Sequence, residues 1–93
     1  MATLSDEEIR TALTDLPGWD LVDGAITKQY RFGGFPEAVA FVVRLSYDAE
    51  AADHHPDLDI RYDKVRVNLS THSEGGVTSK DIALATVVEA LAH

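Results

Sequence analysis

Residues 19–32, WDLVDGAITKQYRF, decide the fold. Trp19 to Val22 reads as a strand, Asp23-Gly24 is a dipeptide suited to a tight hairpin turn, and Ala25 to Phe32 returns as a second strand. On that return Ile26, Tyr30 and Phe32 point one way while Thr27, Gln29 and Arg31 point the other, so one face needs apolar cover. Toward the N-terminus, Ser5-Asp6-Glu7-Glu8 reads as a capping box. Ile9, Ala12, Leu13 and Leu16 then supply a helical stripe that Pro17-Gly18 ends. Toward the C-terminus, Gly33-Gly34 breaks the strand and Phe35 to about Asp53 is predicted as a long helix. Pro36 sits in its first turn, where a missing N–H is harmless, and Ala38, Val42, Leu45, Ala49 and Ala52 mark its buried face. Pro56 closes that segment. A short strand near Leu58 to Arg61 turns at Tyr62-Asp63 into Lys64 to Thr71, where Val65, Val67 and Leu69 alternate with Arg66, Asn68 and Ser70. After Gly75-Gly76, Thr78-Ser79-Lys80-Asp81 resembles a second capping box and opens a helix from about Ser79 to Leu91. Helix, hairpin, helix, hairpin, helix predicts an α+β fold: a four-stranded antiparallel sheet with three helices packed on one face, forming a single domain over residues 1–93.

Composition narrows the function classes. The apolar fraction of 45% is ordinary for a globular chain, and no apolar run approaches the roughly 20 residues of a membrane helix. The N-terminus has no basic start followed by an apolar stretch, so no secretory signal is expected. The net charge of −8 and the scattered basic residues argue against nucleic acid as a partner. The chain has no cysteine, which excludes disulfides, thiolate metal sites and cysteine nucleophiles and fits a cytoplasmic location. On the last helix Ile82, Leu84, Ala85, Val87, Val88 and Leu91 form an apolar arc wider than one sheet contact needs, so a dimer or higher oligomer is expected.

The residues that can carry chemistry lie between Glu50 and Asp81. His54 and His55 are adjacent, and neighbouring side chains on a helix diverge by about 100°, so both can face one point only if the helix has ended. Pro56 biases His55 out of helical geometry and permits that break. Glu50, Asp53 and His54 can share one helix face, which would set carboxylates beside an imidazole and orient it. His72 ends the strand on the parity of Ser70 rather than of the core valines, and Asp81 sits in a helix first turn, where a carboxylate is favoured. Other readings stay open: a surface His-His pair, a capping role alone for Asp81, or a metal site. The spacing matches no compact ligand motif such as His-Glu-x-x-His, and no phosphate loop, dinucleotide fingerprint or Gly-x-Ser-x-Gly is present.

Together these elements resemble the pterin-4a-carbinolamine dehydratases over nearly the whole chain. The resemblance rests on Glu50-Ala-Ala-Asp53-His54-His55-Pro56, Tyr62 with the following Asp-Lys-Val, Ser70-Thr71-His72 and Asp81. Leu16-Pro17-Gly18-Trp19 and the stretch from Tyr30-Arg31-Phe32 to Phe41 add to it. It implies dehydration of a 4a-hydroxytetrahydropterin to the quinonoid dihydropterin, recycling the cofactor of aromatic amino acid hydroxylases. It implies no metal or cofactor, a pterin as small-molecule partner, and a homodimer or homotetramer. His54, His55, His72 and Asp81 match the family's catalytic positions, with Glu50, Asp53, Ser70 and Thr71 on the substrate side. Leu58 departs from the family, which often has an aromatic two residues after the proline, whereas Lys80 keeps a basic residue common there. The family also includes dimerisation partners of a transcription factor and assembly helpers, so a non-catalytic binding role is the alternative.

Overall fold

The computed structural model describes residues 2–93. Its elements run α1 (Asp6–Leu13), β1 (Asp20–Val22), β2 (Ala25–Arg31), α2 (Phe35–Ala52), β3 (Asp57–Arg61), β4 (Lys64–Leu69) and α3 (Ser79–Ala92). This is the α+β order expected from the two hairpins. The sheet is antiparallel with strand order β1-β2-β4-β3, so the two hairpins lie side by side and the inner strands of each pair with one another.

The local signals act as their chemistry requires. Asp23 and Gly24 both take positive φ, which closes the first hairpin in register with Val22 opposite Ala25. Ser5 and Glu8 form a reciprocal capping box on α1, and Thr78 and Asp81 form one on α3. The first helix is shorter than its apolar stripe. Thr14, Asp15 and Leu16 bond back to the carbonyls three residues earlier, and the Thr14 hydroxyl donates to the Thr11 carbonyl at 2.7 Å, so the chain tightens into turns after Leu13. Leu16 still reaches the core from that turn.

The core lies between one face of the sheet and the helices. Ile26, Tyr30, Val65, Val67 and Leu69 project from the sheet onto Ala38, Phe41 and Leu45 of α2 and onto Leu84, Ala85 and Val88 of α3. Burying each large side chain is worth about 1.5–3 kcal/mol. Phe41 is the central ring of α2, 4.9 Å from Phe32 and 5.7 Å from Tyr30 between ring centres. The wide apolar arc of α3 is used within the chain: Leu84, Ala85 and Val88 are buried, and Ile82, Val87 and Leu91 pack against the core. Exposed apolar side chains lie elsewhere, at Val43 and Tyr47 on α2 and at Leu58 and Ile60 on the edge strand β3. No helix among the described residues is long and apolar enough to cross a membrane.

A polar cluster locks the C-terminal half of α3. One oxygen of Glu89 accepts from the Trp19 indole at 3.3 Å, from Lys28 Nζ at 2.5 Å and from the Tyr30 hydroxyl. Lys28 Nζ also donates to the Pro17 carbonyl at 2.8 Å, so α3, β2 and the loop before β1 are tied through one carboxylate. Burial and the adjacent Glu89 push the Tyr30 hydroxyl far above its ordinary pKa, which keeps it a neutral donor.

Candidate active site

The fold brings four chain segments to one end of the sheet: the C-terminus of α2, the start of β3, the end of β4 and the first turn of α3. Antiparallel pairing does this directly, because Asp57 at the start of β3 lies opposite Asn68 near the end of β4. α2 stops at Ala52, and Asp53 takes the left-handed conformation, φ 49° and ψ 43°, a conformation Asp tolerates better than most residues. The chain therefore leaves the helix before either histidine, as the proline suggested, and the two rings separate. His54 turns inward and is buried, whereas His55 stays exposed.

His54 packs on the first turn of α3. Its Nε2 lies 2.5 Å from Oδ1 of Asp81, a side chain with no solvent exposure. The other carboxylate oxygen of Asp81 accepts from the Thr71 hydroxyl at 2.8 Å and from the Thr78 backbone N–H at 2.9 Å. Because Thr71 donates its only proton to Asp81, the Thr78 hydroxyl, 2.8 Å away, donates to Thr71. An ionised carboxylate is acceptor-only, so opposite ionised Asp81 a neutral His54 carries its proton on Nε2, leaving Nδ1 as the lone-pair nitrogen. Asp81 is thus the N3 residue of a capping box and the anchor of His54 at once; the two readings of that residue were not alternatives.

The other histidines also stand beside carboxylates, though in solvent. His55 Nε2 is 2.8 Å from Oε1 of Glu50, and His72 Nε2 is 3.7 Å from Oδ2 of Asp57. Glu50 therefore serves His55 rather than His54. The expected shared helix face of Glu50, Asp53 and His54 does not form, because the helix ends before Asp53 and the left-handed turn there redirects the chain. Asp57 was missed in the sequence, where nothing local ties it to a residue 15 positions on.

His72 does not end a strand. β4 stops at Leu69, Thr71 bridges Gly76, and His72–Glu74 form one turn of 3₁₀ helix. Gly75, at φ 75°, folds the chain back so that Thr71 N–H reaches the Gly76 carbonyl at 2.8 Å. This turn lifts the His72 ring to the surface, with its side chain 73% exposed.

These residues enclose a cleft of about 480 Å³. His54, His55 and Asp53 line it from the end of α2, and Ser70, Thr71 and His72 from the end of β4. Asp57, Ser73 and Lys80 complete the wall. Of the eight site residues expected from sequence, six line the cleft. The other two stand behind it, Glu50 bonded to His55 and Asp81 beneath His54. The cleft lies within the size range of small-molecule sites, roughly 300–1,000 Å³. Its lining combines imidazoles, carboxylates, hydroxyls and one ammonium, a set suited to proton transfer on a polar ligand. Among the described residues no three metal-ligating side chains converge in the geometry of a metal site.

Residues 2–91 match the family model described as pterin 4 alpha carbinolamine dehydratase. A relative from Picosynechococcus sp. is 50% identical over 92 residues, covering 98% of this chain and 100% of its own. One from Chloroflexus aurantiacus is 47% identical over 89 residues, 96% of each chain. Both are named as pterin-4-alpha-carbinolamine dehydratases, the activity being assigned provisionally. Among solved structures, a crystal structure from Brucella melitensis described as a transcriptional coactivator/pterin dehydratase superposes with a TM-score of 0.94. It is 41% identical and covers 98% of this chain and 99% of that one. A pterin dehydratase-like protein described as a RuBisCO assembly factor of the alpha-carboxysome has the same fold at a TM-score of 0.66 and 23% identity, over 80% of this chain and 86% of that one.

Proposed function

This chain belongs to the pterin 4 alpha carbinolamine dehydratase family, and from that premise we propose that it removes water from a 4a-hydroxytetrahydropterin to give the quinonoid dihydropterin, recycling the pterin that aromatic amino acid hydroxylases consume. One observation carries the reading: three imidazoles meet at a single cleft, and the buried one is fixed by a fully buried carboxylate.

The reaction breaks the bond between carbon 4a and its hydroxyl, takes a proton from a ring nitrogen, and turns that N–H electron pair into a C=N bond to carbon 4a. One group must protonate the leaving oxygen and another must accept the ring proton. An imidazole has an ordinary pKa near 6.5 and can do either, each such step contributing about 10²–10⁴-fold. His54 presents a lone pair on Nδ1 because Asp81 holds the proton on Nε2, so His54 is the acceptor in this proposal. His72, on the exposed turn across the cleft, donates to the leaving hydroxyl and is re-protonated from solvent. His55, oriented by Glu50, binds the ring together with Asp53 and Ser70. Thr71 acts through Asp81, since its hydroxyl is committed there. The proposal places the enzyme in the cytoplasm and needs no metal or cofactor.

We further propose a homodimer or homotetramer, with Val43 and Tyr47 of α2 and Leu58 and Ile60 of β3 as the apolar surface that association would cover. A second reading, a binding or assembly role on the same fold, is favoured by that surface and by the coactivator description of the Brucella relative. The two readings part in a stopped-flow dehydration assay with synthetic carbinolamine. Catalysis over the spontaneous rate is expected, and its absence in a folded, assembled sample rejects the enzyme.

A further inference from the structure

Beside the cleft lies a second depression, about 330 Å³, between the C-terminal half of α2 and the N-terminal half of α3. Its walls are short and apolar: Ala51 and Ala52 on one side, Ala83, Leu84 and Val87 on the other. Alanines facing alanines leave a trough where longer side chains would have closed the gap between the helices. His54 and Lys80 line both the trough and the cleft, so the two hollows adjoin at the residue that Asp81 holds. Asp48 stands at the rim, with Lys80 opposite in kind. The two hollows differ sharply in character. The cleft is walled by imidazoles and carboxylates, the trough by methyl and methylene groups.

We infer that the trough is a subsite for the carbon-chain substituent of the ring bound in the cleft, and that Ala51 and Ala83 set which substituents the enzyme accepts. This rests on the pterin reading above. A polar bicyclic ring suits the cleft, while the carbon skeleton of a short side chain suits the trough, with Asp48 and Lys80 placed to meet any hydroxyl it carries. The volume corresponds to about eleven waters at about 30 Å³ each, room for a chain of a few carbons but not for a second ring system of the cleft's size. A second copy of the chain is a poorer occupant, because it would press on His54 and close the site from one side.

The test compares two stable 7,8-dihydropterins, one with a 6-methyl and one with a 6-propyl group, by calorimetric titration of the parent, Ala83→Phe and Ala51→Leu. Both substitutions fall on exposed helix positions, and thermal melting checks that the variants fold. Each buried methylene is worth about fourfold in affinity, so the parent should hold the propyl ring roughly fifteenfold more tightly. Filling the trough should abolish that preference while leaving the methyl ring within about twofold of the parent. Equal affinity of the parent for the two rings, or an equal loss of both in Ala83→Phe, overturns the subsite and leaves the pterin reading standing. Failure of both rings to bind the parent overturns the pterin reading and the subsite with it. If Ala83→Phe changes the concentration dependence of sedimentation but not the ligand preference, the trough is an interface between copies and the subsite is wrong.

Discussion

Replacing Asp81 by asparagine should separate the architecture of the site from its chemistry. The amide has nearly the shape of the carboxylate. Its carbonyl can keep the two bonds now made by Oδ2, from the Thr71 hydroxyl and the Thr78 N–H. The NH₂ group then faces Nε2 of His54, where the carboxylate oxygen stood 2.5 Å away. Two donors cannot face each other, so a neutral imidazole must move its proton to Nδ1 and lose the lone pair there. The expected stability loss is modest, about 1–2 kcal/mol, because charge-assisted bonds become neutral while the desolvation of a buried anion is relieved. The catalytic loss is large: kcat should fall by about 10²–10⁴, the contribution of one correctly protonated acid–base group, with KM little changed. Urea denaturation measures the first effect and stopped-flow dehydration the second. Nitrogen-15 NMR of His54 reads the tautomer without reference to activity. An Asp81→Asn protein that turns over within threefold of the parent, or whose His54 keeps its proton on Nε2, refutes the assignment.

Three further outcomes are expected of the same fold. His72→Ala should change stability by less than about 0.5 kcal/mol, since the side chain is exposed, yet lower kcat at least a hundredfold; a full-rate variant removes His72 from the mechanism. Asp53→Gly should fold as well as the parent or gain up to about 1 kcal/mol in urea, because glycine takes the left-handed conformation without strain, while ligand affinity falls with the carboxylate. At Glu89, burial alone would raise the carboxyl pKa, but the bonds from Lys28, Tyr30 and Trp19 outweigh it and hold the group below its ordinary value of about 4.3. A lowered folded-state pKa stabilises the fold above that ordinary value, and the gain disappears as pH falls through the folded-state value. Thermal melting should therefore show the parent losing stability on acidification through this range and Glu89→Gln losing less, and parallel pH profiles would disprove the role.

Much of this protein is local in origin and was legible residue by residue. Asp23-Gly24 specifies a hairpin because a turn with two left-handed positions, which these residues tolerate, matches the twist of the strands. The two capping boxes, Pro36 in the first turn of α2 and the alternation of Val65, Val67 and Leu69 fix element types through contacts within a few residues. The histidine cluster was legible for the same reason, as residue types at a spacing that resembles a family. Partnership was not. Glu50 belongs to His55 because one residue, Asp53, adopts a left-handed turn, and Asp57 meets His72 only through the register of β3 on β4. The 3₁₀ turn at His72 depends on Gly75 folding the chain back onto Thr71, which strand parity could not show.

By itself, then, the sequence determined an α+β order of helices and hairpins, one apolar face on each strand pair, and a set of imidazoles and carboxylates near one another along the chain. Tertiary structure alone decided that Asp81, 27 residues beyond His54, is the carboxylate that holds it, and that the small side chains of α2 and α3 leave a trough beside that ring. The physical reason is range. Caps, turns and alternation act between residues a few positions apart, whereas a buried hydrogen bond between the end of α2 and the start of α3 exists only after the sheet has packed both helices against its single apolar face.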